Sequence, residues 1–448
     1  MAKNFVSIDR DTPLLLPPDL REWVPANDPV HFVLEVTQQL PTSTFSVNPR
    51  GSGSAQYPPS MLLALLVYCY SRGIFSSRRI EEATYRDIGV RYLTGDTHPD
   101  HDTICAFRRA NAAALQACFA HLITFAKELG LLKVGIVSVD GTLLKASAAK
   151  DKNITHGRAI LLSERLAQSV RELLEKAEQA DQTEQSDRLP EHLASHEKLR
   201  EQVREAKERI EARHREHVEE MNKTPVKERR GSNDKRHPKD TPPPDARDNF
   251  TDPDSRLMRK SKSSGFIQGY NAQAVVDAEG SQLILATRIS QSASDARELV
   301  ADLDAIPANA GVPHTILADS GYHSEPELDT LLARGLDLYI GVSAPKPSPY
   351  GLAPETLAKP LSKKALSPQG QAMRDKLNTP EGKARYKLRK QSVEPVFGTI
   401  KKALGFTQFH LRGRAGVELE WLLIALAYNV KRLWNLTTRQ TRLNPAPA

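Results

Sequence analysis

Three carboxylates stand at positions where their charge needs an explanation. Asp140 follows the apolar run in "VGIVSVDGT". Asp319 follows the one in "HTILADSGY". Glu394 lies in "YKLRKQSVEPVFGTIKK". An acid bordering a buried run is costly unless a cation, a metal ion or a catalytic proton compensates its charge. Hard oxygen donors suit Mg²⁺, with Mn²⁺ as a substitute, and not zinc. Two such ions, about 3.5–4 Å apart, activate a nucleophile and stabilise a leaving oxygen in phosphoryl transfer. One Asp-Gly-Thr alone reads as a strand-end turn with a capping acid. Three acids in order, each in a strand-end or helical context, form the stronger signal.

Bases near Glu394 sort by helical angle. An α-helix advances about 100° per residue. Lys390, four residues before Glu394, then lies about 40° from it, and Lys401, seven after, about 20° away on the other side. Arg389 points about 140° away. The expectation is that Lys390 and Lys401 flank the metal site and meet substrate phosphates, while Arg389 faces the protein or a more distant phosphate. Pro395 is expected to kink such a helix. Further candidate DNA contacts are Tyr386, Tyr322 and His323 beside the second and third acids, Lys145 beyond Asp140, and Arg108 and Arg109 upstream. The pair His98 and His101 lacks a second ligand cluster and reads as a helix-start loop with capping acids. Trp421 and Trp434 read as packing residues.

The elements that must position these groups follow from the patterning. Residues 1–55 read as irregular. Residues 58–130 read as three helices, with Arg78, Arg79, Arg108 and Arg109 suiting a DNA-binding helical module. A strand, or two, surrounds Asp140. Ile160, Leu162, Leu166, Val170, Leu173 and Ala177, then Leu199, Val203, Ala206 and Ile210, recur at near-heptad spacing, which predicts an antiparallel helical hairpin with its own seam. The tract "KTPVKERRGSNDKRHPK" is strongly basic, and the following "DTPPPDARDNFTDPDSR" reads as a flexible loop. A β-hairpin about "DAEG", a helix, the strand ending at Asp319, a helix and another strand come next. Residues 343–380 read as Pro- and Lys-rich loop, and the remainder as helical. This order predicts a mixed α/β sheet with helices packed on it. The expected division is 1–130 N-terminal helical and DNA-binding, 131–157 first strand region of the core, 158–255 helical-hairpin insertion and basic loop, 256–437 the rest of the core, and 438–448 tail.

Composition narrows the classes. With 448 residues, a formal net charge of +7 and a pI of about 9.1, the chain has room for two or three domains and favours polyanionic partners. Cys69, Cys105 and Cys118 form no C-x-x-C pair, so neither a disulfide framework nor a zinc knuckle is indicated. Runs such as "MLLALLV" fall far short of the roughly 20 residues a membrane span requires. The N-terminus has no apolar signal region. A soluble, cytoplasmic protein, nucleoid-associated when on DNA, is expected.

In combination, "VSVDGTLLKA", "ILADSGYHSE" and "YKLRKQSVEPVFGTIKK" resemble the three motifs of bacterial insertion-sequence DDE transposases, in particular the branch with a Tyr–Arg–Glu–Lys signature. The stretch from "YPPSMLLALL" to "DHDTICAFRR" is similar to the helical domain at the head of many of these enzymes. The resemblance implies a ribonuclease-H-like catalytic core and Mg²⁺-dependent cleavage at transposon ends that leaves 3′-hydroxyls, which then attack target DNA. It implies Asp140, Asp319 and Glu394 as ligands of two ions. Its implied partners are double-stranded DNA, as terminal inverted repeats and target, and a second copy of the chain or more when assembled on that DNA. Lys401 keeps the signature spacing. Tyr386 and Arg389 each lie one residue too far from Glu394. Two other readings stand beside it: a non-catalytic DNA-binding descendant of a transposase, and a haloacid-dehalogenase-like phosphatase, whose nucleophile position is occupied here by Ser138, which cannot form an aspartyl-phosphate.

Overall fold

Strand Ile136–Lys145 (β1) forms the middle of the sheet because both of its edges are paired and its apolar residues, Val137 and Val139, are fully buried. The computed structural model describes residues 19–47, 56–180, 189–223, 240–259, 264–342 and 367–443. Two short strands, Asn153–Thr155 (β2) and Arg247–Asn249 (β3), pair with each other. The others are Arg256–Met258 (β4), Ile267–Asp277 (β5), Ile284–Ser290 (β6), Thr315–Ala318 (β7) and Asp337–Ile340 (β8). The main sheet runs β4-β5-β1-β7-β8, and β6 also pairs with β5. β5 is antiparallel to β1 and β6, whereas β7 is parallel to both β1 and β8. The sheet is therefore mixed, as expected. The β5–β6 hairpin turns at "DAEG".

The N-terminal region contains helices Leu20–Trp23 (α1), Pro29–Gln39 (α2), Pro59–Ser71 (α3), Ser77–Arg86 (α4), Ile88–Thr94 (α5), His101–Ala110 (α6) and Ala112–Glu128 (α7). Two expectations change here. Residues 29–39 are helical, not irregular. Asp28 caps Val30 N at 2.9 Å, proline opens the first turn, and Val30, Val33 and Val36 bury one face at helical spacing. The segment 76–130 forms four helices rather than two, because Asp87 caps a new helix on Val90 N and the chain breaks again at Asn111. The apolar residues of this region share one continuous core with the sheet and with the long helix Arg414–Leu443 (α14). Trp421, on α14, is fully buried and donates its indole N–H to Gln273 O at 2.8 Å.

Helices His156–Ala180 (α8) and Leu189–Lys223 (α9) form the hairpin between β2 and β3. Ala159, Leu166, Val203 and Ala206 join Ile154 in a small cluster separate from the main core. At its base, Asp248 is buried and accepts from Arg209 at 2.9 Å and Arg213 at 2.8 Å. Most of the basic tract, 224–239, lies outside the described residues, but "RDNFTDPDSR" is an ordered segment and not a flexible loop. Asp248, Asn249, Asp252 and Ser255 are buried, and they are bonded: Asn249 donates to Ala149 O at 2.9 Å, and Tyr270 donates its hydroxyl to Asp252 at 2.9 Å. A segment rich in Asp, Asn and Pro folds when each polar group has such a partner.

Helices Leu299–Asp304 (α10), Glu325–Ala333 (α11), Pro368–Asn378 (α12) and Pro380–Gly398 (α13) complete the molecule. Residues 343–366 lie outside the described residues, but α12 shows that the expected loop ends before Pro368. α14 likewise extends the helix six residues into the expected tail, to Leu443. α13 continues through Pro395. The carbonyl left without its helical N–H, Gln391 O, accepts from the Gln282 side chain at 2.6 Å instead. Beyond Gly398 the helix widens into a π-helical turn, Thr399–Ala403. Among the described residues no helix is long and apolar enough to cross a membrane.

Candidate active site

Register brings the first two acids together. Val139 on β1 pairs with Ala318 on the parallel β7, so the next residue of each strand, Asp140 and Asp319, sits at the same level of adjacent strands. Asp319 ends its strand as expected and accepts from Gly321 N at 2.7 Å, which fixes its carboxylate on the turn Ser320–Tyr322. Asp140 does not end a strand. β1 continues through Gly141, which pairs with Gln273 on β5. The glycine serves space, not a turn: a Cβ there would lie 2.4 Å from Gln273 Nε2 and 2.7 Å from Asp295 Oδ1.

Glu394 joins from α13. All three acids line one cleft of about 580 Å³, together with Thr142, Asn271, Asp295 and the cations Arg259, Arg389, Lys401 and Lys402. Burial, and next the charge of Asp319, push the Asp140 carboxyl up to about 6, opposed by Arg389 and the Gly141 N–H. Glu394 is half-exposed at the rim.

The helical-angle expectation fails for Lys390 and Arg389 and holds for Lys401. Arg389 is 11% exposed and bridges the acids, 3.4 Å from Asp140 Oδ2 and 3.2 Å from Glu394 Oε1. Lys390 is exposed and does not line the cleft. The physical reason lies in which face of α13 meets the sheet. Ser392, Val393 and Val396 are buried, and Arg389 belongs to that face, three and four residues before the first two. Lys390 shares the side of Glu394, and at the rim that side opens to solvent. Tyr386, one turn before Arg389, is partly buried with its ring 5.8 Å from the guanidinium carbon. Lys401 does reach the cleft, from the π-helical turn, and its ammonium donates to Thr142 Oγ1 and to Leu143 O.

The remaining candidates divide. Tyr322 is fully buried and donates to Gln273 Oε1, so it supports the sheet and offers no surface to DNA. Arg108 is also buried, donating to the Tyr70 hydroxyl at 2.6 Å, because its turn of α6 faces the helical core. Arg109, Arg78 and Arg79 are exposed, as is Lys145 at the end of β1, whose backbone pairs with Thr407 and Phe409. His323 is partly buried beside Asp319. His98 stacks on Tyr85 with ring centroids 3.9 Å apart, and Asp100 caps α6. Ser138 is fully buried and lines no part of the cleft, which removes the phosphatase reading.

Among the groups the sequence candidates omit are Asn271 and Asp295, which line the cleft, and the buried Gln273 behind them. Asn271 and Gln273 were legible as polar residues at alternate positions of the apolar strand "GYNAQAVV", facing one side. Asp295, in "SASDARE", carries no periodic signal. It is placed by Asn271 Nδ2 at 2.7 Å and Gln273 Nε2 at 2.8 Å, both donating to Oδ1.

Among the described residues, no group of three or more His, Cys, Asp or Glu side chains is close enough to hold a metal ion, and Arg389 bridges Asp140 and Glu394. The donors nonetheless fit a hard divalent cation. Asp140 and Asp319 present carboxylate oxygens on rigid backbone, and burial first, then the charge of Asp319, raises the Asp140 carboxyl, a cost that a cation removes.

Residues 240–430, from the approach to β3 into α14, match the family described as "Transposase DDE domain", and residues 18–110 match "Transposase domain (DUF772)". The first match includes Asp319 and Glu394, while Asp140 lies between the two. No curated protein and no solved structure matches the chain. A DDE domain behind this N-terminal transposase domain makes the chain a member of the insertion-sequence DDE transposases.

Proposed function

We propose that the protein binds the ends of its insertion sequence and catalyses metal-dependent strand cleavage and strand transfer, as cut-and-paste transposition requires. The observation that carries this reading is the register of β1 and β7, which sets Asp140 beside Asp319 in a cleft that Glu394 also lines. The order β6-β5-β1-β7-β8, with β5 antiparallel and β7 and β8 parallel to β1, supports a ribonuclease-H-like core. Asp140, Asp319 and Glu394 are the residues to hold divalent cations, which when bound supply an activated nucleophile and charge stabilisation at the leaving oxygen.

The chain's own groups have separable tasks. The N–H groups of Gly141, at 2.8 Å, and Gly321, at 2.7 Å, fix the two aspartates. Arg389 holds Glu394 in reach of Asp140 and, with Tyr386 and Lys401, fills the basic role of the family's signature. Lys401, Lys402 and Arg259 line the same cleft and meet the phosphates flanking the scissile bond. The exposed Arg78, Arg79 and Arg109 of the helical region hold end DNA, as does Lys145. The α8–α9 hairpin is an insertion with its own seam, and two copies of the chain assemble on paired ends. The test is incubation with DNA carrying the element's terminal inverted repeats in Mg²⁺. Nicks at the repeat boundaries with 3′-hydroxyl ends support the proposal. Binding without cleavage would instead favour the non-catalytic descendant.

A further inference from the structure

Asp295 is oriented in a way that a solvated loop acid is not. Its Oδ1 accepts from Asn271 Nδ2 at 2.7 Å and from Gln273 Nε2 at 2.8 Å, and both of those residues are buried on β5. Gln273 is held in turn, because its Oε1 accepts from the buried Tyr322 hydroxyl. With Oδ1 anchored, Oδ2 faces Gly321. A Cβ built on Gly321 would lie 3.4 Å from Asp295 Oδ2 and 2.9 Å from Asp319 Oδ1, so both carboxylates stand around that one glycine. On the other side, a Cβ on Gly141 would meet Asp295 Oδ1 at 2.7 Å. The glycine that follows Asp140 and the one two residues after Asp319 thus both leave room for the same side chain. Three cleft carboxylates, Asp140, Asp319 and Asp295, are therefore fixed on rigid sheet-borne supports, whereas Glu394 stands at the rim with Arg389.

We propose that Asp295 is a fourth carboxylate of the catalytic cluster, a positioning residue that supplies negative charge on the Asp319 side of the cation site. This rests on the proposed metal-dependent function. Two amide donors hold one oxygen of Asp295, so the other keeps its direction without help from solvent. That is how an outer carboxylate orients a ligand and raises the local affinity for a cation. The same arrangement accounts for the polar pair Asn271 and Gln273 in the buried middle of β5: they aim Asp295. A side chain at 141 would crowd Asp295 and both of its donors, whereas one at 321 would crowd Asp319 Oδ1, at 2.9 Å, and only touch Asp295.

The test is Mn²⁺ binding to the full chain by isothermal titration calorimetry, read beside the melting temperature. Asp295→Asn keeps an oxygen that accepts both amides and removes the charge. Its Mn²⁺ affinity is expected to fall about 10- to 100-fold, the range for outer-sphere partners of metal ligands, with the melting temperature unchanged. Asn271→Ser, which removes one of the two aiming donors and leaves the acid in place, is expected to weaken Mn²⁺ in the same direction by a smaller factor. Asp140→Asn and Asp319→Asn serve as references and lose binding. If they lose it while Asp295→Asn and Asn271→Ser bind as wild type, Asp295 is a structural residue only and the inference is overturned. If the two reference variants also bind as wild type, the cation site itself is misplaced and the proposed function fails with it.

Discussion

Replacing Arg389 by alanine tests how the cleft balances its charges. The guanidinium is 3.4 Å from Asp140 and 3.2 Å from Glu394, and it is 11% exposed. At 3.4 Å, a unit pair is worth about 5 kcal/mol at an effective dielectric of 20 and about 1 kcal/mol in water. The half-exposed Glu394 adds little, because surface pairs contribute roughly 0–1 kcal/mol. Removing one partner of a buried pair typically costs about 3–5 kcal/mol, and partial access of solvent lowers that here to about 1–3 kcal/mol. In EDTA, Arg389→Ala is therefore expected to melt below wild type by that equivalent. Mg²⁺ should narrow the gap. The variant leaves Asp140 and Glu394 to the ion alone, whereas in wild type the guanidinium already neutralises part of their charge. A tenfold excess of Mg²⁺ over its dissociation constant yields about 1.4 kcal/mol of linked stabilisation. The assay is thermal unfolding in EDTA and in a Mg²⁺ series, with Lys390→Ala alongside. Equal Mg²⁺ responses in Arg389→Ala and wild type would refute the reasoning. A Lys390→Ala loss as large as that of Arg389→Ala would show that the exposed lysine, and not the bridging arginine, faces the site.

Gly141→Ala is expected to destabilise the fold by about 1–3 kcal/mol, the usual cost of overpacking, because its Cβ would lie 2.4 Å from Gln273 Nε2; denaturant unfolding checks this, and a neutral result would return Gly141 to a turn role. The Asp302 carboxyl is pushed up to about 7, by burial first, with Arg288 opposing and Glu298 and Asp295 reinforcing. A raised carboxyl contributes stability below the unfolded value near 3.8 that is lost as pH rises through about 7, so the stability of Asp302→Asn relative to wild type should rise between those pH values. A pH-independent difference in urea midpoints would contradict that burial effect.

The sequence carried the three acids, the mixed sheet and the helical hairpin because each rests on local patterning: an apolar run before a carboxylate, alternation, and near-heptad spacing. It did not carry what depends on which face meets which. Arg389 was placed 140° from Glu394 correctly as an angle, but the sheet contacts the flank between them, and a long guanidinium arm spans the rest. Arg108 and Tyr322 have side chains suited to DNA contact, yet their faces turn inward, onto Tyr70 and Gln273. Asp140 was read as a strand end because Asp-Gly-Thr commonly turns. The strand continues because its backbone stays paired with β5 through Lys145, and the glycine leaves space for Asn271, Gln273 and Asp295. α2 was legible after all, in Asp-Pro followed by Val30, Val33 and Val36, but the prolines nearby masked it. The ordered polar segment 247–256 could not be read locally, since its partners are Arg209, Arg213, Ala149 and Tyr270.

In the proposed function Asp140, Asp319 and Glu394 perform the chemistry while basic residues supply the affinity for DNA. The most direct measurement pairs Mg²⁺-dependent cleavage of terminal-repeat DNA with equilibrium binding of the same DNA at fixed salt, for Asp140→Ala, Asp319→Ala and Glu394→Ala. Each variant is expected to lose cleavage and to keep its affinity, because phosphate contacts by Lys and Arg dominate binding whereas carboxylates hold the ions. A variant that cuts at a rate near wild type would remove its carboxylate from the site and contradict the account.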